Sequence, residues 1–248
     1  MYGIITHFRR NQFQVSVSRL PVWTLGEGRV LSFERFGRQR VTRSLRGGGV
    51  RRKEFEVKDR QRMEEVLKRA DVGYLAFHGP DGWPRITALN FWYDGRILWH
   101  GALAGERFES LKRDPRATFS AVSLQLYLPS HLLSEENATS ATAAFKSVAV
   151  RGRVVSIDKS GEKCSILNQL MQKYQPEGRF KKITPQDPLY SKILNATGVF
   201  ALNVEEMSGK FKFGQNKSKE DREKIAGLLK KRGSPLEMEV AEEILKTL

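Results

Sequence analysis

The chain has 248 residues, 40% of them hydrophobic and 29% charged, a balance that allows a sizeable buried core and excludes a collagenous or wholly disordered chain. No apolar run reaches the roughly 18 to 20 residues that cross a bilayer, and no compact apolar signal segment opens the chain, so a cytoplasmic protein without a membrane partner is expected. A single cysteine, Cys164, excludes an internal disulfide framework and a multi-cysteine zinc site, and the four histidines show no metal-ligand spacing.

The formal net charge is +15, which invites a nucleic-acid reading through counterion release. Its distribution weakens that reading. Residues 1–53 hold twelve Arg or Lys against two Glu, whereas the remaining 195 residues hold 31 basic and 26 acidic groups. This basic leader has no sustained period of 3.6 or 2 and is expected to be poorly ordered. Three accounts of it compete: an extension translated from an upstream start, a basic arm touching nucleic acid or anionic surfaces, and an organelle transit segment.

After the leader, apolar residues at spacings of three and four predict a helix over 58–70 that covers one face of a sheet. Strands are expected at 72–78 and 85–93, separated by a turn at 79–82. Asp94-Gly95 predicts a tight type I′ hairpin with a returning strand at 96–101. A short helix over 105–113 ends at Asp114-Pro115, where proline restricts the preceding residue. Strands follow at 117–128, 145–157 and 197–204, with a loop at 129–144. The segment 159–174 places Ile166, Leu167, Leu170, Met171 and Tyr174 on one face of a core-facing helix, which favours a buried over a reactive Cys164. A helix over 218–231 starts at Ser218 with Asp221 three residues on, an approximate capping box. The domain organisation is therefore a leader at 1–53, one folded domain at 54–232 and a helical tail at 233–248. Consecutive strands joined by tight turns make the fold class mainly β (α+β), an antiparallel closed or partly closed barrel with peripheral helices.

No hydrolase signature is present, and neither G-x-G-x-x-G nor a Walker sequence occurs. What remains is a pattern of small and basic residues at strand ends. WHGALAGER at 99–107 passes from a strand into a helix start, where free backbone amides, the helix dipole and the forked Arg107 can receive a phosphate. The alternative is an ordinary strand-to-helix turn with a surface arginine.

The run RITALNFWYDGRILWHGALAGER at 85–107, followed by LKRDP at 111–115, resembles the pyridoxamine 5′-phosphate oxidase-like flavoproteins, in the branch of the nitroimidazole-resistance proteins. Their pattern is P-L-N-F-x-Y-D-G followed by H-S-A-x-x-G-R-K and L-x-x-D-P. FKSVAVRG at 145–152 resembles their later Y-x-S-V-x-x-x-G strand. SGKFKFGQNKS at 208–218 is similar to the S-G-K-x-K-x-x-Q-N segment of a flavin-binding regulator branch. The resemblance covers roughly 55–232 and omits the leader.

It implies an FMN-binding antiparallel split β-barrel, a homodimer with flavin in the groove between subunits, and oxidoreductase chemistry on an unknown small molecule. Carried over by position, Arg85, Ile86, Thr87, Ala88, Leu89 and Asn90 run along the isoalloxazine and ribityl chain. His100, Gly101 and Arg107 surround the phosphate, and Ser147, with Lys146 beside it, reaches the flavin from the later strand. Deazaflavin and haem are the alternative cofactors. The family serine of H-S-A is Gly101 here, and the arginine of G-R-K is Glu106. Either Glu106 faces solvent, or FMN binds more weakly, or another cofactor is used.

Several readings stay open. His100 is a flavin neighbour or a structural strand residue. Trp92 and Trp99 favour core packing over flavin stacking. Lys210, Lys212 and Gln215 either reach flavin from the partner chain or decorate a solvated strand. Lys230, Lys231 and Arg232 read as the cationic end of a helix. No catalytic acid or base and no metal ligand is assigned. A second function class, a flavin-sensing or nucleic-acid-binding regulator using the basic arm, competes with the enzyme.

Overall fold

The computed structural model describes residues 50–248, so the expectations for residues 1–49 lie outside the described residues. The described residues form one compact unit. Helix α1 (Arg60–Arg69) is capped by Asp59, whose carboxylate accepts the amides of Gln61 and Arg62, and it turns Met63, Val66 and Leu67 inward. Strands β2 (Gly73–His78) and β3 (Pro84–Leu89) form the first hairpin, followed by β4 (Trp92–Tyr93) and β5 (Arg96–Ala102). Helix α2 (Glu106–Arg113), β6 (Arg116–Leu128), β7 (Thr142–Ser156) and α3 (Ser160–Tyr174) follow. The chain ends with α4 (Pro188–Ala196), β8 (Thr197–Lys212), α5 (Lys219–Arg232) and α6 (Pro235–Leu245). A two-residue strand, β1 (Glu56–Val57), precedes them all.

All pairings are antiparallel, in the order β3-β2-β6-β7-β8-β5-β4, with β1 added to the far half of β8. β3 and β4 sit at opposite ends of that order, yet Asn90 and Phe91 alone separate them in the chain. The sheet must therefore roll until its edges meet, without hydrogen bonds joining them. This is a split barrel.

The predicted strand at 85–93 is broken there for a physical reason. The Phe91 amide donates to the Tyr174 hydroxyl at 2.8 Å, and the Phe91 carbonyl accepts from that hydroxyl at 3.0 Å and from Lys173 Nζ at 3.2 Å. Helix α3 satisfies the backbone that a ladder would otherwise use. The Asp94-Gly95 turn also differs from expectation: Gly95 has φ 100°, whereas Asp94 is absent from the positive-φ residues, so it is not type I′. Instead the Asp94 carboxylate accepts the Arg96 amide at 3.2 Å, a side-chain turn that asks only the glycine for positive φ.

β8 extends well past 204, because it pairs β5 along its first half, β7 along nearly its whole length and β1 near its end. The register shift between Arg151 and Gly152 lets it bend, and a Cβ at Gly152 would lie 1.8 Å from the Asn203 carbonyl oxygen. Only glycine permits that approach. α4 was not anticipated, although Asp187 caps it and Pro188 occupies its first turn. α6 places Val240, Ala241 and Ile244 in the core.

The barrel interior holds Leu75, Phe91, Ile97, Trp99, Phe119 and Leu202. A second cluster, Leu98, Ile157, Ile166, Leu170, Val199 and Ala201, lies between α3 and the other face of β5 and β8. Burying each such large side chain contributes about 1.5–3 kcal/mol.

Candidate functional site

Strand β5 delivers His100 and Gly101 to its last turn of the ladder, opposite Val199 and Gly198 of β8. The chain then passes through Gly105, with φ 96°, into α2. Gly105 offers no capping side chain, so the first-turn amides of α2 lack the partner that a serine or aspartate would supply. Arg107 lies in this first turn, half-buried, and burial pulls its guanidinium below its ordinary value. It has no carboxylate or hydrogen-bond partner among the described residues.

A Cβ built on Gly101 would stand 2.3 Å from the Arg107 guanidinium. The missing serine hydroxyl is thus the space in which the arginine head sits. Glu106, the second departure from the family pattern, is exposed and accepts from Arg85 Nε at 2.9 Å. Arg85 also binds Asp81 at 3.0 Å, and both carboxylates raise its affinity for its proton. Glu106 is therefore held by Arg85, which it shares with Asp81, and Arg107 remains the uncommitted cation of the turn.

The structure brings Arg85, Gly101 and Arg107 into one neighbourhood, with His100 exposed beside them on β5. Along β3 the residues divide. Ile86 and Ala88 are exposed on the outer face, Arg85 and Thr87 are half-buried on the other, Leu89 is buried in the core, and Asn90 is exposed. As an edge strand, β3 pairs only with β2 and leaves its outer backbone donors and acceptors available.

Ser147 lies on the same outer face, paired with Val122, but its hydroxyl donates to the Lys210 carbonyl at 3.2 Å. Lys146 points the other way. Its ammonium binds the buried Glu243 of α6 at 3.2 Å and lies 5.7 Å from the centre of the Phe211 ring, so its charge is already used inside the protein. Neither is brought against Arg107. Glu243 and Asp81, the carboxylates that commit these two cations, were not foreseen; the alternation of Phe145, Lys146 and Ser147 was the signal that Lys146 faces inward.

Trp99 is fully buried and stacks on Phe200 with ring centres 5.7 Å apart, and Trp92 packs against the second cluster. Both are core residues, and their indole N–H groups lack partners among the described residues. Cys164 is buried, and burial pushes its thiol up. No group of three or more metal-ligating side chains occurs among the described residues. No helix among them is long and apolar enough to cross a membrane.

The sequence profile of pyridoxamine 5′-phosphate oxidase matches residues 59–211, more than half of the chain. The chain belongs to this family. The match runs from the cap of α1 almost to the end of β8, so strands β2 to β7 and nearly all of β8 lie within the family segment, with β1 before it. No curated protein matches the chain.

Among solved structures, a proposed 5-nitroimidazole antibiotic resistance protein from Bacteroides thetaiotaomicron is 22% identical, with 62% of this chain and 85% of that one covered and a TM-score of 0.51. The flavocytochrome Anf3 from Azotobacter vinelandii is 24% identical over 67% of this chain and 74% of its own, with a TM-score of 0.55. The FAD and heme binding protein from Mycobacterium smegmatis is 18% identical over 64% and 74%, with a TM-score of 0.53. These likenesses show the shared fold.

Proposed function

We propose that the barrel binds a flavin, FMN in particular, and serves as an oxidoreductase on a small molecule. The observation that carries this reading is Arg107: a half-buried guanidinium, unpaired among the described residues, beside Gly101 and an uncapped helix start. Desolvating a cation without a counter-charge is unfavourable, and a phosphate supplies the missing charge. The residues present fit the phosphate end of such a group, because pairing with Arg85, shared with Asp81, offsets part of the Glu106 charge beside it.

When bound, the flavin supplies the redox chemistry, and the protein contributes binding, orientation and electrostatics. Arg107 and the α2 amides hold the phosphate. The free edge of β3 offers backbone donors and acceptors, while Ile86 and Ala88 offer a small apolar surface. The similar proteins named above include a flavocytochrome and an FAD and heme binding protein, which keeps FAD and haem as alternative ligands; deazaflavin is a third.

A homodimer is part of the same reading. Tyr74, Ile86 and Val122 are 51%, 71% and 41% exposed, and the strand registers place them on one outer face with Ala88, Ser120 and Ala149. A second copy laid on this face would cover the apolar side chains and wall the cofactor.

The deciding experiment is the absorption spectrum of the purified full chain and mass spectrometry of whatever denaturation releases. FMN in the supernatant supports the reading. Colourless protein that does not take up added FMN defeats it.

A further inference from the structure

The far end of β8 carries a second concentration of positive charge. A cleft of about 340 Å³ opens there between the segment preceding β1, the loop before β7 and the end of β8. Arg51, Arg52, Lys210, Lys212 and Lys217 line it, and no carboxylate does so among the described residues. The neighbouring Glu56 turns its carboxylate to Lys53, 3.1 Å away. Lys212 Nζ donates to the Thr142 hydroxyl, and Lys217 Nζ donates to the Ser140 carbonyl at 3.3 Å. These neutral acceptors orient both ammonium groups without cancelling their charge. Burial lowers the proton affinity of Lys212, and Lys210, Arg52 and Lys217 lower it further by repulsion.

A second opening on the barrel shows that this is not the general condition of the surface. Arg116, Arg151 and Arg153 line that opening, and each is held by a carboxylate: Asp114 at 2.6 Å, Glu206 at 3.1 Å and Glu205 at 3.1 Å. Repulsion among close cations costs free energy that the fold does not recover internally, whereas a polyanion would relieve it. The cations stand on two of the cleft's walls, Arg51 and Arg52 before β1 and Lys210, Lys212 and Lys217 at and after the end of β8, and a single phosphate cannot offset all five. A chain of phosphoryl groups can. The cleft is concave and walled on its apolar side by the Phe55 and Phe145 rings, with Arg52 5.9 Å and Lys210 5.5 Å from their centres. That shape suits a small ligand better than the convex backbone of a duplex.

We infer that the cleft formed by Arg51, Arg52, Lys210, Lys212 and Lys217 binds a small molecule with two or more contiguous phosphoryl groups. Within one protomer the cleft is separate from the flavin reading's Arg107, which belongs to the opposite end of β8, where Gly198 faces Gly101.

The test is isothermal titration calorimetry of the full chain saturated with FMN, so that the Arg107 site is filled, with inorganic pyrophosphate, tripolyphosphate and ADP, each at two salt concentrations. Saturable binding that tightens from pyrophosphate to tripolyphosphate and weakens with salt is expected. ADP binding more tightly than pyrophosphate assigns the site to a nucleotide, and equal or weaker binding assigns it to the phosphate chain alone. Lys210→Gln changes an exposed side chain and should weaken binding about tenfold, with Lys212→Gln adding a similar loss and Lys210→Arg restoring most of it. Arg107→Ala should leave pyrophosphate binding unchanged. Binding that survives both lysine substitutions, or that Arg107→Ala abolishes, overturns the inference. So does a Lys210→Gln protein that loses FMN and pyrophosphate together, because the cleft would then be the partner side of one flavin site.

Discussion

A guanidinium half withdrawn from water needs a partner, and Arg107 has none among the described residues. The flavin reading turns on this residue. Replacing Arg107 by Ala should raise the FMN dissociation constant about 10- to 100-fold, measured by quenching of flavin fluorescence, with the fold unchanged by circular dichroism. Gly101→Ala tests the packing directly. The Cβ would meet the mobile end of the arginine at 2.3 Å, so the side chain swings aside, folding stability changes by less than about 1 kcal/mol, and flavin affinity falls. At this scale the sequence was legible where chemistry is local. The small-residue turn before α2 and Arg107 could be read from their neighbours in the chain. The commitments of Arg85 to Glu106, 21 residues on, and of Lys146 to Glu243 of α6 could not, because only packing presents those partners.

Among the elements, the strands and most helices announce themselves in the sequence: α1 and α3 lie where their apolar spacing puts them, α5 where its Ser218 cap does, and α2 stops at the predicted Asp114-Pro115. Two elements were harder to read. The second half of β8 alternates Glu206, Ser208 and Lys210 on its outer face with Gly209 and Phe211 on the other, a half-polar strand that looks like a solvated segment without its neighbours. α4 exposes Leu189 and Ile193, so its apolar pattern does not mark a core face. The bend of β8 depends on Gly152, and Gly152→Ala should destabilise the protein by at least about 2 kcal/mol, seen as a lower urea midpoint, because the Cβ meets backbone rather than a movable side chain. The junction of β3 and β4 depends on Tyr174. Tyr174→Phe leaves the Phe91 amide without its 2.8 Å acceptor and should cost about 1–3 kcal/mol in the same assay.

For the molecule as a whole, the outer sheet face argues for self-association. Glutamate in place of Tyr74 should shift sedimentation toward the monomer and weaken flavin binding together, since one surface serves both in the proposed dimer. Acid stability follows from the ion pairs. Bonds from Arg85, Arg116, Lys181 and Arg69 hold Asp81, Asp114, Asp187 and Glu239 below the ordinary carboxylate range. At Glu243 burial pushes upward, but Lys246 and Lys146 outweigh it and the net direction is also down. In each case the unfolded chain takes up the proton first. The stability these groups contribute is therefore complete above about pH 5 and is lost as pH falls through about 4 and below. Thermal melts across pH 3 to 7 should show a flat upper region and a falling acid limb; a melting temperature that rises on acidification would contradict the assignment.

Lys173 gives the rolled sheet a latch. Its ammonium reaches from α3 to the Ala70 carbonyl at 2.7 Å and the Phe91 carbonyl at 3.2 Å, and stands 4.2 Å from the centre of the Phe91 ring. The two-residue link between opposite sheet edges is thus pinned by one charged head that burial already makes easier to discharge. Whatever neutralises that amine, acylation or strong alkali, should let the rim gape and the link exchange its amide hydrogens with solvent while the distant strands stay closed.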